Sequence, residues 1–463
     1  MNTTDTVPID EERIEATLQH GARKDAACVR EVLAKAFELK GLNADDVATL
    51  MAVSDPQLLS ELFDTARRVK EEIYGRRLVL FAPLYVSNLC NNECLYCAFR
   101  KTNTDVKRRA LTQEEIANET KIIIDQGHKR ILLVAGESYP DEGFPYILKS
   151  IETIYSVKSG RGEIRRINAN VAPLTLEEFE ELKASGIGTY QLFQETYHRQ
   201  TYARVHTSGK KADFDWRVSA MDRAMESGID DVGVGILFGL FDWRFEVLAL
   251  MQHIEHLEKK FGVGPHTISV PRLEPAVGSN MASHPPHPVS DVDFRKLVAI
   301  LRLAVPYTGI IMSTRETPNI RRETFAVGVS QISAGSRTNP GGYAEEEYDG
   351  SQFSLGDHRS LDEVIRDIAE LGYIPSFCTA CYRLGRTGAD FMDLAKPGKI
   401  KDHCDVNALS TFLEYLEDYG TPETKAIGEA CIKQTLQRFT PSRRNVSEGM
   451  MERVKNGERD VYV

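Results

Sequence analysis

The feature that most constrains the fold is an alternation running from about residue 76 to residue 345. Short runs rich in β-branched and aromatic residues alternate with segments whose apolar positions recur every three or four residues. The runs are RLVLFAPLYV (77–86), RILLVAG (130–136), EIRRINANV (163–171), GTYQLFQET (188–196), DDVGVGILFG (230–239), HTISVPRLE (266–274), GIIMST (309–314) and the weaker VGVSQISAG (327–335). Between them lie segments such as LTQEEIANETKIIIDQG, with a Thr to cap the start and a Gly to stop the end. Strands alternating with helices imply a parallel sheet, and eight such strands imply an α/β fold closed as a TIM-type (β/α)8 barrel. Active sites of such barrels gather at the C-terminal ends of the strands.

Outside the barrel the pattern is helical. Residues 1–75 read as an N-terminal helical extension, 76–345 as the barrel, and 346–463 as a mainly helical C-terminal domain with a cysteine-bearing loop. The segment TNPGGYAEEEYDG (338–350) reads as an exposed connection. With 463 residues, 42% of them hydrophobic, the chain can bury a substantial core. Acidic residues exceed basic ones, 68 to 57, which leaves no basic stripe for a nucleic-acid partner. No apolar run reaches 18 residues, so no membrane span is expected. The segment MNTTDTVPIDEERIEATLQHG lacks the layout of a signal peptide, which points to a cytoplasmic protein.

Six of the eight cysteines fall into two compact triads. In a reducing compartment such clustering reads as metal binding rather than as disulfides. Cys28 and Cys431 stand alone and read as small hydrophobes. Cys90, Cys94 and Cys97, in SNLCNNECLYC, form C-x3-C-x2-C just past the first strand. Three thiolates can hold three irons of a [4Fe-4S] cubane and leave the fourth open. A zinc site would want a fourth Cys or His, and this loop has none. Cys378, Cys381 and Cys404 form a second triad, C-x2-C with 22 residues before the third thiol. It too suits a cluster with an open corner, although a zinc site completed by His403, or a redox pair, stays open.

The first triad resembles that of the radical SAM superfamily. That resemblance implies a cluster that binds S-adenosyl-L-methionine and cleaves it to a 5′-deoxyadenosyl radical. Tyr96 matches the position near the adenine. Ala135-Gly136-Glu137, after the second strand, stands where the superfamily usually has Gly-Gly-Glu, and Glu137 could accept a bond from the methionine amine. Asn168 and Asn170 end the third strand and Glu195 the fourth, where they could hold ribose or methionine groups. Gly235 and Ile236 belong to GILFG, similar to the fifth-strand segment along the adenine.

Both triads together are similar to the HydG family, the tyrosine lyase that matures [FeFe]-hydrogenase, from about residue 75 to beyond 404. SAGSRTNPGGY (333–343) and STRE (313–316) look like segments shared with the tyrosine lyase of thiazole biosynthesis, which lacks the second triad. The resemblance implies cleavage of L-tyrosine at Cα–Cβ to p-cresol and dehydroglycine. Dehydroglycine then yields carbon monoxide and cyanide, delivered to a labile iron bridged to the auxiliary cluster by free L-cysteine ([5Fe-5S] type). An electron donor such as flavodoxin or ferredoxin and other maturation proteins are the implied partners. His266 matches the histidine that holds the labile iron; otherwise it is a hydrogen-bonded histidine at a strand start. It precedes the sixth strand, so one site is expected at each barrel mouth, separated by roughly 17–20 Å or more, with diatomic fragments passing through the barrel interior.

For the substrate carboxylate a bidentate guanidinium is wanted. Arg315 is the first candidate and Arg272 the second, either of which could instead be structural, while Ser333 and Ser336 could bond other polar groups. His206, Lys210, Asp242 and Trp243 follow strands with no assigned role. A thiazole-type tyrosine lyase and a non-catalytic iron–sulfur scaffold are the alternative functions.

Overall fold

The computed structural model describes residues 9–22, 25–345 and 350–463. The first eight residues of the segment read as lacking a signal peptide lie outside the described residues, as do residues 346–349 of the expected connection.

Eight strands form the barrel: β1 (Arg77–Ser87), β2 (Arg130–Ala135), β3 (Arg166–Asn170), β4 (Tyr190–Glu195), β5 (Val232–Ile236), β6 (Thr267–Ser269), β7 (Gly309–Met312) and β8 (Gln331–Ser333). Each neighbouring pair is parallel. The short β8 closes the ring by pairing with β1, Val79 opposite Gln331 and Phe81 opposite Ser333. Every residue of β1 is buried, as expected for a strand covered on both faces. A ninth strand, β9 (Ile374–Ser376), pairs with the start of β1, Arg77 opposite Ile374. Three residues with a proline among them carry no periodic signature, so the sequence reading passes over β9.

The N-terminal extension is four helices: α1 (Glu11–Gly21), α2 (Ala26–Ala36), α3 (Ala44–Met51) and α4 (Pro56–Tyr74). The start of α4 is set by Asp55, whose carboxylate accepts from the Gln57 and Leu58 amides, with Pro56 in the first turn. Its end is set by Gly75, whose φ of 62° is cheap for glycine. The helices Gln113–Asp125, Leu176–Ala184 and Leu361–Glu370 open with capping boxes.

The C-terminal region holds the helices Leu361–Glu370, Gly388–Ala395, Ile400–Asp418, Pro422–Arg438 and Pro441–Lys455. The Ile400–Asp418 helix is tied to the barrel floor. Arg165, just before β3, donates to both oxygens of Glu414 at 2.6 and 3.1 Å, and both side chains are 2% exposed. Lys129 at 3.6 Å from Glu414 and Asp460 at 3.5 Å from Arg165 extend the pair into a network, so removing Arg165 or Glu414 would leave a buried charge with only its longer contact.

Residues 338–342 correct the expectation of an exposed connection, since they are buried. The Tyr343 and Ala344 amides donate to Glu119, and the Tyr343 hydroxyl donates to the Pro83 carbonyl at 2.8 Å, which draws the segment onto the barrel. Among the described residues no helix is long and apolar enough to cross a membrane.

Candidate functional site

The upper site grows from the end of β1. The pairing of β1 with β2 shifts register between Tyr85 and Ser87, and the chain then turns into the loop that carries Cys90, Cys94 and Cys97. The loop lies so close to β2 that a Cβ on Gly136 would sit 2.1 Å from the Leu89 carbonyl oxygen. Glycine is therefore required at 136, whereas Ala135 is accommodated one residue earlier. The three cysteines line one cavity with Tyr96, Ala135, Gly136, Glu137, Asn170 and Glu195. The Tyr96 hydroxyl meets Nε2 of His206 at 2.8 Å, which fixes its ring at the cavity wall.

The donor set suits a cluster. Among the described residues no fourth cysteine and no histidine lines this cavity, and no three His, Cys, Asp or Glu converge on a single ion position. Three thiols spread around one space fit a multinuclear iron–sulfur core better than a lone ion. Burial pushes all three thiols up, Cys97 to about 11, so a bound metal would take the place of tightly held protons.

The carboxylates beside the triad are held by two cations that sequence reasoning missed. Arg217 donates to Glu137 at 2.8 Å, and Lys211 to Glu195 at 2.7 Å. Asn92 adds a bond to Glu137 at 2.8 Å. Burial works against the charge on Glu137, but Arg217 and Lys211 outweigh it and hold the carboxyl below its usual range. Burial and Arg217 oppose the charge on Lys211, yet Glu195, Cys94 and Glu137 leave it above its usual value. The sequence points to Lys210, with no role attached, whereas Lys211 is the lysine in the cavity lining. One residue along a single 3-10 turn decides which of the two points inward, and no periodicity marks it. Glu195 has a φ of 72° and sits where β4 and β5 slip register. A left-handed backbone is uncommon for a residue with a Cβ and here re-aims the carboxylate into the cavity.

Several expected residues lie elsewhere. Asn168 does not line the cavity: its side-chain oxygen accepts from Arg166 Nε at 2.8 Å and from the Thr189 amide at 3.2 Å. Gly235 and Ile236 do not line the space, which Phe193 and Leu237 reach instead. Gly235 is needed because a Cβ there would sit 2.2 Å from the Phe193 ring. Ser336 is buried with its hydroxyl unpartnered, outside the cavity lining. Arg272 is occupied: it forks onto Glu316 through Nε at 2.9 Å and through Nη2, and bonds Asp291 at 2.7 Å and the Val289 carbonyl at 3.0 Å. It is the structural arginine of the pair. Arg315 does line the cavity, stacked on Phe353, and forms no ion pair among the described residues. Burial lowers its pKa, so a carboxylate would be welcome beside it. Ser333 is also in the lining, where its hydroxyl accepts from the Thr314 amide at 3.1 Å.

The lower site lies at the opposite mouth. A smaller cavity there is lined by Cys378, Cys381, Cys404 and His266, with Arg77, Arg130 and Tyr382. β9 delivers Cys378 to the floor, where Arg130 donates to the Cys378 carbonyl at 3.1 Å. His403, the fourth ligand of the zinc alternative, does not reach this cavity. The donor set is again three thiols, now with an imidazole. Burial raises Cys378 to about 11, while the contact between Cys381 and Cys404 lowers the first and raises the second. Burial pushes His266 down to about 4, so its imidazole is neutral and able to bind metal. Its Nε2 meets the Tyr382 hydroxyl at 3.3 Å.

Comparison with known proteins agrees with this layout. Residues 84–252 match the model of the radical SAM superfamily, and 269–374 that of the biotin and thiamin synthesis associated domain. A 2-iminoacetate synthase of Escherichia coli (strain K12) is 34% identical over 345 residues, 74% of this chain and 88% of the relative. A crystal structure of HydG, described as a maturase of the [FeFe]-hydrogenase, superposes with a TM-score of 0.95 at 50% identity, covering 98% of this chain and 99% of that one. The HydG of Carboxydothermus hydrogenoformans gives a TM-score of 0.84 at 43% identity, over 96% and 97% of the two chains.

Proposed function

The chain belongs to the HydG family, and on that premise we propose that it is a radical SAM lyase that cleaves the Cα–Cβ bond of L-tyrosine. The products are p-cresol and dehydroglycine. Dehydroglycine gives carbon monoxide and cyanide, which pass through the barrel interior to a cysteine-bound iron cargo at the floor. The outcome is an Fe(CO)2(CN)–cysteine synthon for the [FeFe]-hydrogenase cluster.

Cys90, Cys94 and Cys97 hold the first [4Fe-4S] cluster in this reading. When bound, that cluster supplies the electron that splits S-adenosyl-L-methionine into methionine and a 5′-deoxyadenosyl radical. Glu137, kept ionised by Arg217, takes the methionine amine. Asn170 and Glu195 take hydroxyl groups, and Tyr96 packs near the adenine. Arg315 takes the tyrosine carboxylate, with Ser333 beside it. Cys378, Cys381 and Cys404 hold the auxiliary cluster, and His266 holds the cargo iron. Flavodoxin or ferredoxin as electron donor, and the other maturation proteins as recipients, complete the proposal.

One observation carries the reading: two thiol triads at opposite mouths of one barrel, the second with the His266 imidazole beside it. The test is anaerobic. The protein is reconstituted with iron and sulfide, reduced and supplied with S-adenosyl-L-methionine, L-tyrosine and L-cysteine; p-cresol and carbon monoxide are then measured. Both products are expected. p-Cresol without carbon monoxide would mark a thiazole-type lyase, and deoxyadenosine alone would remove tyrosine as the substrate.

A further inference from the structure

Two buried polar atoms at the barrel floor have no hydrogen-bond partner and belong to neighbouring side chains. Nδ1 of His266 lies 3.5 Å from Oδ1 of Asp231, and among the described residues neither that Nδ1 nor the other carboxylate oxygen, Oδ2, makes a hydrogen bond. Unsatisfied buried atoms are costly and call for a reason. Asp231 is 2% exposed and anchored, since its Oδ1 accepts from the Gly388 amide at 3.0 Å. His266 is anchored through its main chain, whose amide donates to the Val232 carbonyl at 2.8 Å and whose carbonyl accepts from Gly309 at 3.0 Å. A small turn of the ring is enough to close the gap. The other nitrogen, Nε2, meets the Tyr382 hydroxyl, and Tyr382 itself lines the thiol cavity.

We infer that Asp231 is a positioning residue that keeps the His266 proton on Nδ1, so that Nε2 offers its lone pair to an iron in the floor cavity. The Tyr382 hydroxyl occupies that lone pair until the metal arrives. Metal-bound histidines commonly donate their other ring N–H to a carboxylate, which sets both tautomer and ring orientation. The inference rests on the reading of His266 as an iron ligand, and it adds the residue that makes His266 competent. Asp231→Asn is the informative change. The Oδ1 that faces Nδ1 also accepts from Gly388, so the asparagine oxygen keeps that place and that bond, while His266 loses the charged acceptor that holds its proton on Nδ1.

The experiment is a ferrous-iron titration of the reconstituted full chain, without oxygen and with L-cysteine present, reading the Kd of iron bound beyond the two cubanes. Asp231→Asn is expected to weaken that binding roughly 10- to 100-fold, with cubane content and melting temperature unchanged. Asp230→Asn is the control, because among the described residues that carboxylate bonds only the Thr387 hydroxyl, at 3.1 Å, and iron binding should not move. If His266→Ala loses the iron and Asp231→Asn binds it as tightly as the natural chain, the role of Asp231 is overturned and the iron site stands. If His266→Ala keeps the iron at full affinity, the iron-site reading itself falls. Should Asp231→Asn fail to fold, nitrogen-15 spectra of histidine-labelled natural chain decide, with the His266 signal assigned by its loss in His266→Ala. A proton on Nδ1 supports the assignment, and one on Nε2 overturns it.

Discussion

The two mouths of the barrel solve opposite electrostatic problems. At the upper mouth each buried carboxylate beside the triad has a cation of its own, Glu137 with Arg217 and Glu195 with Lys211. Arg315 is the one guanidinium of that lining left without an acid, among the described residues. At the floor the balance reverses. Arg77, Arg130 and Arg166 are all buried, and among the described residues none of them pairs with a carboxylate. Among the described residues, Nε of Arg77 and Nη1 of Arg166 have no hydrogen-bond partner. Asp231 and Asp405 offset these three cations only from a distance, and buried charge without a close partner is expensive, so the floor is built to receive negative charge and the upper mouth to receive a ligand whose charges are already paired. Three thiolates around a cluster supply such negative charge below. A zwitterionic amino acid and S-adenosyl-L-methionine suit the upper site.

This contrast can be broken by substitution, and the largest effect should come from the floor. Cys378→Ser combined with Cys381→Ser should cut carbon monoxide output at least about 100-fold while p-cresol stays within about threefold, measured in one reaction. Joint loss of both products would mean that the two ends do not work separately. Next is Arg315→Lys. It exchanges a fork for a point charge, and kcat/KM for tyrosine should fall roughly 10- to 100-fold; an unchanged value would move the carboxylate site elsewhere. Ser333→Ala removes one neutral hydrogen bond at most, worth about 1 kcal/mol, so a change of roughly threefold to tenfold in the same constant is expected. The smallest effect on activity belongs to Arg272→Ala, which should leave kcat/KM alone. Its signature is thermal: Glu316, 2% exposed, loses its fork, and about 3 kcal/mol of stability goes with it in a denaturant titration.

How much of this was legible in the chain varied with the physics involved. The barrel was legible because each strand and helix repeats a local pattern, and even the three-residue β8 could be placed from the rhythm around it. Both thiol triads were legible because ligand spacing is local. What escaped notice was set by tertiary context. Arg217 and Lys211 reach their carboxylates from a stretch after β4 with no motif of its own. Asn168 and Asn170 share one face of β3, yet only the second reaches the cavity, because Arg166 and the Thr189 amide occupy the first. The choice between Arg315 and Arg272 depended on acids far along the chain, Glu316 and Asp291, that only the fold brings to Arg272.

The length of β1 carries a consequence for how this protein can vary. Its odd-numbered residues from Arg77 to Tyr85 face the barrel interior: Arg77 and Val79 line the lower cavity, and Phe81, Pro83 and Tyr85 the upper one. From Arg77 to Tyr85 the strand climbs roughly 26 Å. It acts as a gauge block that sets the spacing of the two chambers and the phase of the side chains in both. Inserting or deleting one residue within the strand would reverse the facing of every residue on one side of the change and put one chamber out of phase with the other. Descendants of this chain can therefore retune either chamber by exchanging side chains, but they inherit the interval between the chambers as a fixed quantity.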